Sequence, residues 1–141
     1  MKTLVVSAVS IVMVSILFCP MVMAAPSMPA DLQIVQPDPS LPKELSAFFG
    51  KWEGTGRMQY FLIVEKIDDE KASLYIWEFA PESLAPIWAR YEAKVTKERG
   101  KYKLWYTGRY GNPDLTLKGE VLNWSRYNYS GSESVRLKQV P

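Results

Sequence analysis

Apolar and polar residues alternate along most of the chain after residue 51. Between residues 87 and 97, for example, Ile87, Ala89, Tyr91, Ala93 and Val95 fall on one side, and most residues between them are polar or charged. A period of two predicts β-strands, and short polar turns separate one alternating run from the next. The predicted strands are Lys51–Arg57, Gln59–Ile67, Ala72–Phe79, Ile87–Lys97, Tyr102–Gly108, Leu115–Lys118, Val121–Tyr129 and Ser134–Val140.

Eight short strands in succession, with no long helical stretch between them, predict an all-β fold. Parallel pairing would need crossover connections, and no segment after Gly50 is long and periodic enough to supply one. We therefore predict an eight-stranded antiparallel up-and-down barrel, because closure leaves no strand edge exposed. A half-open sandwich is the alternative arrangement.

A short N-terminal helix is predicted immediately before the barrel, over Pro42–Phe49. Leu45, Phe48 and Phe49 are spaced three and four residues apart, so they share one face of this helix. Gly50 then supplies the left-handed conformation that ends a helix. The pattern predicts about two helical turns that lead directly into the first strand.

The first strand carries glycines on the same side as a tryptophan, in the run Gly50-x-Trp52-x-Gly54-x-Gly56. Glycine weakens a strand, so two inward glycines indicate a sharp bend or a close approach to another part of the chain. A short helix followed by this run resembles the opening of the calycin superfamily of small β-barrels, which includes the lipocalins. It is also similar to the opening of the haem-binding nitrobindin barrels.

The resemblance implies a calycin-like barrel in which Trp52 has a structural role. In lipocalins the equivalent tryptophan packs at the barrel base beneath a basic residue of the last strand, which here is Arg136 or Lys138. The haem function of the nitrobindin-like barrels is not carried over, because this chain has no histidine to ligate iron.

The first 24 residues have the pattern of an export signal. A basic residue precedes an apolar run over residues 4–18, and Val22-Met23-Ala24 offers small residues where a signal peptidase cuts. We therefore predict a signal peptide over residues 1–24, a proline-rich linker over residues 25–41, and a lipocalin-like barrel domain over residues 42–141. An uncleaved membrane anchor is the alternative, because residues 4–25 are long enough to span a bilayer.

Composition excludes several functional classes. The chain has no histidine, and its single cysteine, Cys19, lies in the predicted signal peptide, where the bulky residue before it disfavours lipid attachment. Zinc sites of the Cys/His type, cysteine nucleophiles and Ser-His-Asp triads are therefore excluded. The 17 basic and 15 acidic residues are scattered, which argues against a nucleic-acid partner. We predict an exported protein, periplasmic or secreted, that has no metal and no cofactor.

The predicted ligand-binding residues are large side chains at inward positions, because these line any space that the barrel encloses. They are Trp52, Tyr91, Leu104 and Tyr106. Small residues lie among them on the first and fourth strands: Gly54, Gly56, Ala89 and Ala93. These small residues either leave a pocket near those two strands or make room for the large side chains in a filled core.

The second and third strands are apolar on both faces. Phe61, Ile63 and Ile67 alternate with other apolar residues, and Tyr75 and Trp77 do the same on the next strand. A strand with one face in water should alternate with polar residues, so something covers this outer face. The cover is either the N-terminal helix, or a protein partner or second copy that binds through residues 59–67 and 72–79.

Catalysis finds little support in the sequence. Glu53 and Glu78 lie among large apolar residues and are the candidates for acid–base work, but each is expected to face solvent or to pair with Arg57 or Arg90. We predict a binding module for a small apolar or aromatic molecule and no enzyme. The alternative is an envelope-associated protein-interaction domain with a filled barrel. Membrane contact is expected only if the export signal stays uncleaved.

Overall fold

The computed structural model describes residues 25–56, 58–80, 85–128 and 131–141, with the backbone alone described at residues 80, 127 and 128. The predicted signal peptide, residues 1–24, lies outside the described residues. Within the described part of the chain, no helix has the length and apolar character needed to cross a bilayer.

The described residues form one short helix and eight strands, in the predicted order. The elements are α1 (Lys43–Ser46), β1 (Gly50–Thr55), β2 (Gln59–Ile67), β3 (Lys71–Ala80), β4 (Ala85–Glu98), β5 (Lys101–Trp105), β6 (Asp114–Lys118), β7 (Val121–Asn128) and β8 (Gly131–Val140). Each strand pairs antiparallel with the next, and β8 pairs with β1 to close the barrel. The predicted fold class is confirmed, and the architecture is consistent with a calycin-like barrel.

The helix and the residues after it close one end of the barrel, which we call the base. Leu45 and Phe48 are buried in the same core cluster as Trp52, whose indole N–H donates a hydrogen bond to the Phe48 carbonyl at 2.9 Å.

The helix is one turn and not the predicted two, because the amides of Phe48 and Phe49 bond to carbonyls three residues back and not four. The prediction that Gly50 ends the helix is wrong: α1 ends at Ser46 with a right-handed cap at Ala47, and Gly50, with a φ of 121°, is the first residue of β1.

The predicted stacking of a basic residue on Trp52 is wrong. In the β1–β8 pairing the partner of Trp52 is Gln139, whose side-chain NH₂ donates to the Phe49 carbonyl at 2.9 Å. Arg136 and Lys138 alternate with the buried Val135 and Leu137 and therefore lie on the outer wall. Among the described residues, the aromatic rings that contact a cation do not include Trp52.

Gly54 allows β1 to cross β8 at close range. A side-chain carbon added at this position would lie 2.5 Å from Leu137 Cδ2 and would also overlap the Arg136 carbonyl oxygen. The predicted close approach therefore occurs at the seam that closes the barrel, and only glycine leaves room for it.

A bulge in β2 changes which residues face the core. The β2–β3 register shifts between Val64 and Lys66, so the residue between them is extra and the alternation is displaced by one. Ile67 is consequently buried in the core cluster, although strict alternation places it on the outer face with Phe61 and Ile63.

The barrel interior next to the base is filled. Fully buried side chains from six strands meet there: Leu62, Leu74, Leu104, Leu115, Leu122 and Leu137. Branched apolar side chains of this size fill an eight-stranded barrel of this kind. Any space for a ligand inside the barrel therefore lies toward the opposite end.

The outer face of β2, β3 and β4 is covered by the chain's own N-terminal segment, which we define as residues 25–36. The segment is extended, and it follows the wall without forming a strand among its described residues. The Trp88 indole N–H donates to the Ser27 carbonyl at 2.7 Å, and the Val35 amide donates to the Glu65 carbonyl at 2.8 Å. Helix α1 closes the base instead, so the interpretation that the helix covers this face is wrong.

Glu65 ties the N-terminal segment to the wall. Its carboxylate is buried and accepts hydrogen bonds from the Gln33 amide at 3.0 Å and the Ser73 hydroxyl at 2.7 Å, and it forms an ion pair with Arg90 at 3.1 Å. Arg90 also pairs with Asp31 of the segment at 3.5 Å. Burial, together with the Asp31 carboxylate, raises the pKa of the nearby Tyr75 hydroxyl to about 12.

Candidate functional site

The barrel end opposite α1, which we call the mouth, is open to solvent along β4. Ile87, Ala89 and Tyr91 alternate with outward residues and point into the barrel, yet each is only partly buried. Ala93, two residues deeper on the same face, is fully buried. Inward side chains are therefore partly in contact with water down to the level of Tyr91, and they lose that contact below it.

Tyr106 and Trp124 form the floor of the mouth. Both side chains are 2% exposed, and the indole N–H of Trp124 donates to the Tyr106 hydroxyl oxygen at 3.0 Å. The Tyr60 ring meets Trp124 edge to face, with ring centres 5.7 Å apart. This layer of rings rests on the leucine core and separates it from the mouth.

One wall of the mouth carries a satisfied carboxylate. Glu78 follows Leu74 and Ile76 on the inner side of β3, and it accepts a hydrogen bond from the Tyr91 hydroxyl at 2.6 Å. The Arg109 guanidinium forms an ion pair with the same carboxylate at 3.3 Å. Burial, and then the hydrogen bond to Glu78, raise the pKa of Tyr91 to about 12, so this hydroxyl stays protonated at neutral pH.

The opposite wall carries an arginine and a second carboxylate. Arg126 continues the inward face of β7, and its guanidinium carbon lies 5.0 Å from the centre of the Trp124 ring. Glu133 is opposite Arg126 in the β7–β8 register, but its carboxylate accepts a hydrogen bond from the Tyr60 hydroxyl at 2.6 Å. The wall therefore combines a cation stacked on an aromatic ring with a carboxylate already bonded to a donor.

The segment between β5 and β6 folds across the β3 side of the mouth. Gly108 and Gly111 form a backbone bridge, and Gly111 has a φ of 125° that favours glycine. The Tyr110 hydroxyl donates to the Phe79 carbonyl at 2.6 Å, and the Arg109 amide donates to the Tyr91 hydroxyl at 3.3 Å. These bonds fix one edge of the entrance.

The four predicted ligand-binding residues are divided between three levels of the barrel. Tyr91 and Tyr106 come together at the mouth, with ring centres 5.1 Å apart. Leu104 lies in the filled core below them, and Trp52 lies at the base. The structure therefore brings two of the four to the same space.

Arg126, Glu133 and Trp124 belong to this space but are not among the predicted site residues. The sequence contains a signal for the arginine, because Arg126 is in phase with the apolar Leu122 and Trp124 along β7. A charged residue on the apolar side of a strand costs free energy unless it is paired or hydrogen-bonded there.

Glu53 and Glu78 do not form a pair. Glu53 faces an open groove of about 470 Å³ on the outer wall, together with Arg136 and Lys138, whereas Glu78 points into the barrel. Arg90 bonds to Glu65 and not to either of these carboxylates, and Arg57 lies outside the described residues. Within the described part of the chain, no cluster of three acidic, cysteine or histidine side chains is placed to hold a metal ion.

Comparison of the chain with protein-family models, with curated proteins and with solved structures finds no significant match. The likeness to calycins therefore stands on the barrel architecture alone. The mouth itself combines two tyrosines, Tyr91 and Tyr106, with the ring of Trp124 and with charged groups on both walls.

Proposed function

We propose that this protein is a non-catalytic binding module that takes a small apolar or aromatic molecule into the mouth of its barrel. The observation that carries the proposal is the partial exposure of inward residues on β4, above a floor of aromatic rings. Barrel mouths lined by aromatic side chains with a few polar groups are common sites for small ligands. A lipocalin-like role as an exported carrier follows from the same proposal, as does a location in the periplasm or outside the cell.

The aromatic pair Tyr91 and Tyr106 supports an aromatic or flat apolar ligand. The ring planes are inclined by 37°, and Tyr91 is half-buried whereas Tyr106 is buried, so Tyr91 is the ring of the pair that a ligand in the mouth would contact. Rings bind other rings in offset or edge-on arrangements that add to the gain from burying apolar area.

Native mass spectrometry of the protein purified from its own exported compartment tests the proposal. We expect an added mass of a few hundred daltons that is lost on denaturation, since a pocket of this class encloses a molecule of roughly drug size. In the variant Ala89→Phe the new ring fills the entrance, so the added mass should disappear. Glu92→Phe, on the outward side of the same strand, is the control and should retain it.

The proposal fails if the wild-type protein carries no small molecule and binds no aromatic probe. It also fails if Ala89→Phe and Glu92→Phe retain the same molecule equally, because the ligand would then bind elsewhere. The thermal melting of both variants shows whether they remain folded.

A protein-interaction function through residues 59–67 and 72–79 remains the second candidate. The outer side of these strands is occupied by the N-terminal segment, so a partner would have to displace the bonds that Glu65 and Trp88 make with it. A self-associating or partner-bound protein whose residues 33–35 gain rapid hydrogen exchange would support this alternative.

A further inference from the structure

The charged groups inside the mouth are not all paired with one another. Glu78 accepts a hydrogen bond from the Tyr91 hydroxyl and forms an ion pair with the Arg109 guanidinium. Glu133 accepts a hydrogen bond from the Tyr60 hydroxyl. Both carboxylates are therefore occupied by donors. Each carboxylate binds through its Oε1 atom, and the two donors described next have no acceptor among the described residues.

Arg126 is the first of these donors. Its side chain is half-buried and inward, and its described contact is with the face of the Trp124 ring. Among the ion pairs of the described residues, none includes Arg126, and the carboxylate of its strand neighbour Glu133 does not reach it within ion-pair distance. An inward cation without a carboxylate partner is costly, and an anion that enters the mouth would remove that cost.

The Tyr106 hydroxyl is the second donor. It accepts the Trp124 indole N–H, but its own hydrogen has no acceptor among the described residues, although the side chain is 98% removed from solvent. A hydroxyl supplies one donor and two acceptor positions, so its donor is unused. Burial raises the pKa of Tyr106, which keeps this hydrogen in place at every physiological pH.

Trp124 contacts both donors. Its ring lies under the Arg126 guanidinium, and its N–H holds the Tyr106 oxygen. A guanidinium and a hydroxyl that both contact one ring offer a donor to each of the two oxygens of a carboxylate.

We propose that the ligand of the mouth is a small organic carboxylate whose anionic group binds Arg126 and the Tyr106 hydroxyl, while its apolar or aromatic body lies against Tyr91. This inference rests on the proposed function, since it names the chemical class of the molecule bound at that site. The partly exposed Ile87 and Ala89 complete the apolar side of the space.

Pairs of probes that differ only in charge test the inference. Calorimetric titration of the wild-type protein, freed of any retained molecule, compares benzoate with benzamide, 2-naphthoate with 2-naphthamide, and decanoate with decanamide. We expect at least one carboxylate to bind about tenfold or more tightly than its neutral amide, because charge-assisted hydrogen bonds are roughly twice as strong as neutral ones.

Variants locate the preference. Arg126→Gln should reduce the affinity for the carboxylate about tenfold or more and leave that for the amide nearly unchanged. Arg126→Lys keeps the charge but loses the planar fork, so an intermediate loss is expected. Arg136→Gln is the matched control, because Arg136 lies on the outer wall of the neighbouring strand, and it should bind as the wild type does.

Each failure has a distinct meaning. Equal binding of carboxylate and amide, or a carboxylate preference that survives Arg126→Gln, overturns the inference and leaves the proposed function standing. Binding of none of the six probes also overturns the inference, and the mass-spectrometric experiment then decides separately whether the mouth holds a molecule of another class.

Discussion

Replacing Glu65 by glutamine tests how the N-terminal segment is held on the barrel. The buried carboxylate accepts hydrogen bonds from the Gln33 backbone amide at 3.0 Å and from the Ser73 hydroxyl at 2.7 Å. It also forms an ion pair with the Arg90 guanidinium at 3.1 Å. Glutamine has nearly the same shape, but it has one acceptor oxygen and presents an NH₂ group in place of the other. At least one buried donor then faces another donor.

The structure sets the size of the expected effect. A hydrogen bond to a charged group contributes about 1.5–3 kcal/mol, and a neutral one contributes about 1 kcal/mol. Because the Arg90 side chain is 46% exposed, water screens part of its attraction to Glu65, and the lower end of the charged range applies. Loss of the ion pair and of one neutral bond should therefore reduce the free energy of unfolding by about 2–3 kcal/mol.

Two measurements follow this loss. Urea unfolding monitored by tryptophan fluorescence reports the free energy of unfolding of the whole protein, and hydrogen exchange at the Gln33 and Val35 amides reports release of the segment alone. If the segment opens before the barrel unfolds, exchange at these amides should accelerate about 30-fold, which corresponds to about 2 kcal/mol. Glu65→Ala, which removes every acceptor, should have the larger effect.

Glu92→Gln is the control. Its carboxylate is 69% exposed and pairs with an exposed lysine, Lys71, at 3.1 Å, so its loss should change the free energy of unfolding by no more than about 0.5 kcal/mol. If Glu65→Gln changes neither the unfolding free energy nor the exchange rates beyond this control, the carboxylate does not hold the segment and the reasoning is refuted.

Three further predictions concern the seam, the base and the mouth. Gly54→Ala should lower the free energy of unfolding by about 3 kcal/mol, because the added carbon overlaps the backbone of β8. Gly56→Ala should lower it less in the same denaturant titration, because the added carbon meets only the Tyr60 ring, at 3.1 Å. Phe48→Ala should cost about 3–5 kcal/mol by opening a cavity at the base, and a thermal melt that matches the wild type would contradict this. Because burial and Glu78 raise the pKa of Tyr91 from 10.0 to about 12, the unfolded chain loses its proton first, so stability should fall as pH rises through this range. Tyr91→Phe should remove part of that fall, and an unchanged pH profile of the unfolding free energy would count against the assigned pKa.

The strands could be predicted because their signal is local. Alternation of apolar and polar residues appears within each run, and polar turns mark the ends, so β2 and β6 differ from the predicted strands by at most one residue. The bulge after Val64 could not be predicted in the same way. One extra residue changes the side of Ile67, and only the pairing of β2 with β3 reveals it.

Only two of the four predicted site residues lie at the candidate site. Alternation correctly placed Tyr91 and Tyr106 on the inner side, but it did not show that Leu104 lies below them in the core or that Trp52 lies at the base. The position of a residue along the barrel axis depends on how all eight strands are staggered against one another. The alternation within one strand carries no information about that stagger. Arg126 was in phase with the inner face throughout, but its lack of a carboxylate partner becomes visible only when the neighbouring strands are placed.

The sequence by itself determined the number of strands, their order, the side of the wall that most residues face, and the absence of histidine chemistry. The tertiary structure decided which inward residues share a level and that the N-terminal segment covers the outer face of β2 to β4. It also decided that Arg126 and the Tyr106 hydroxyl have no acceptor among the described residues. The physical reason is that periodicity follows from the geometry of one strand, whereas depth, cover and charge balance follow from how strands far apart in the chain are aligned.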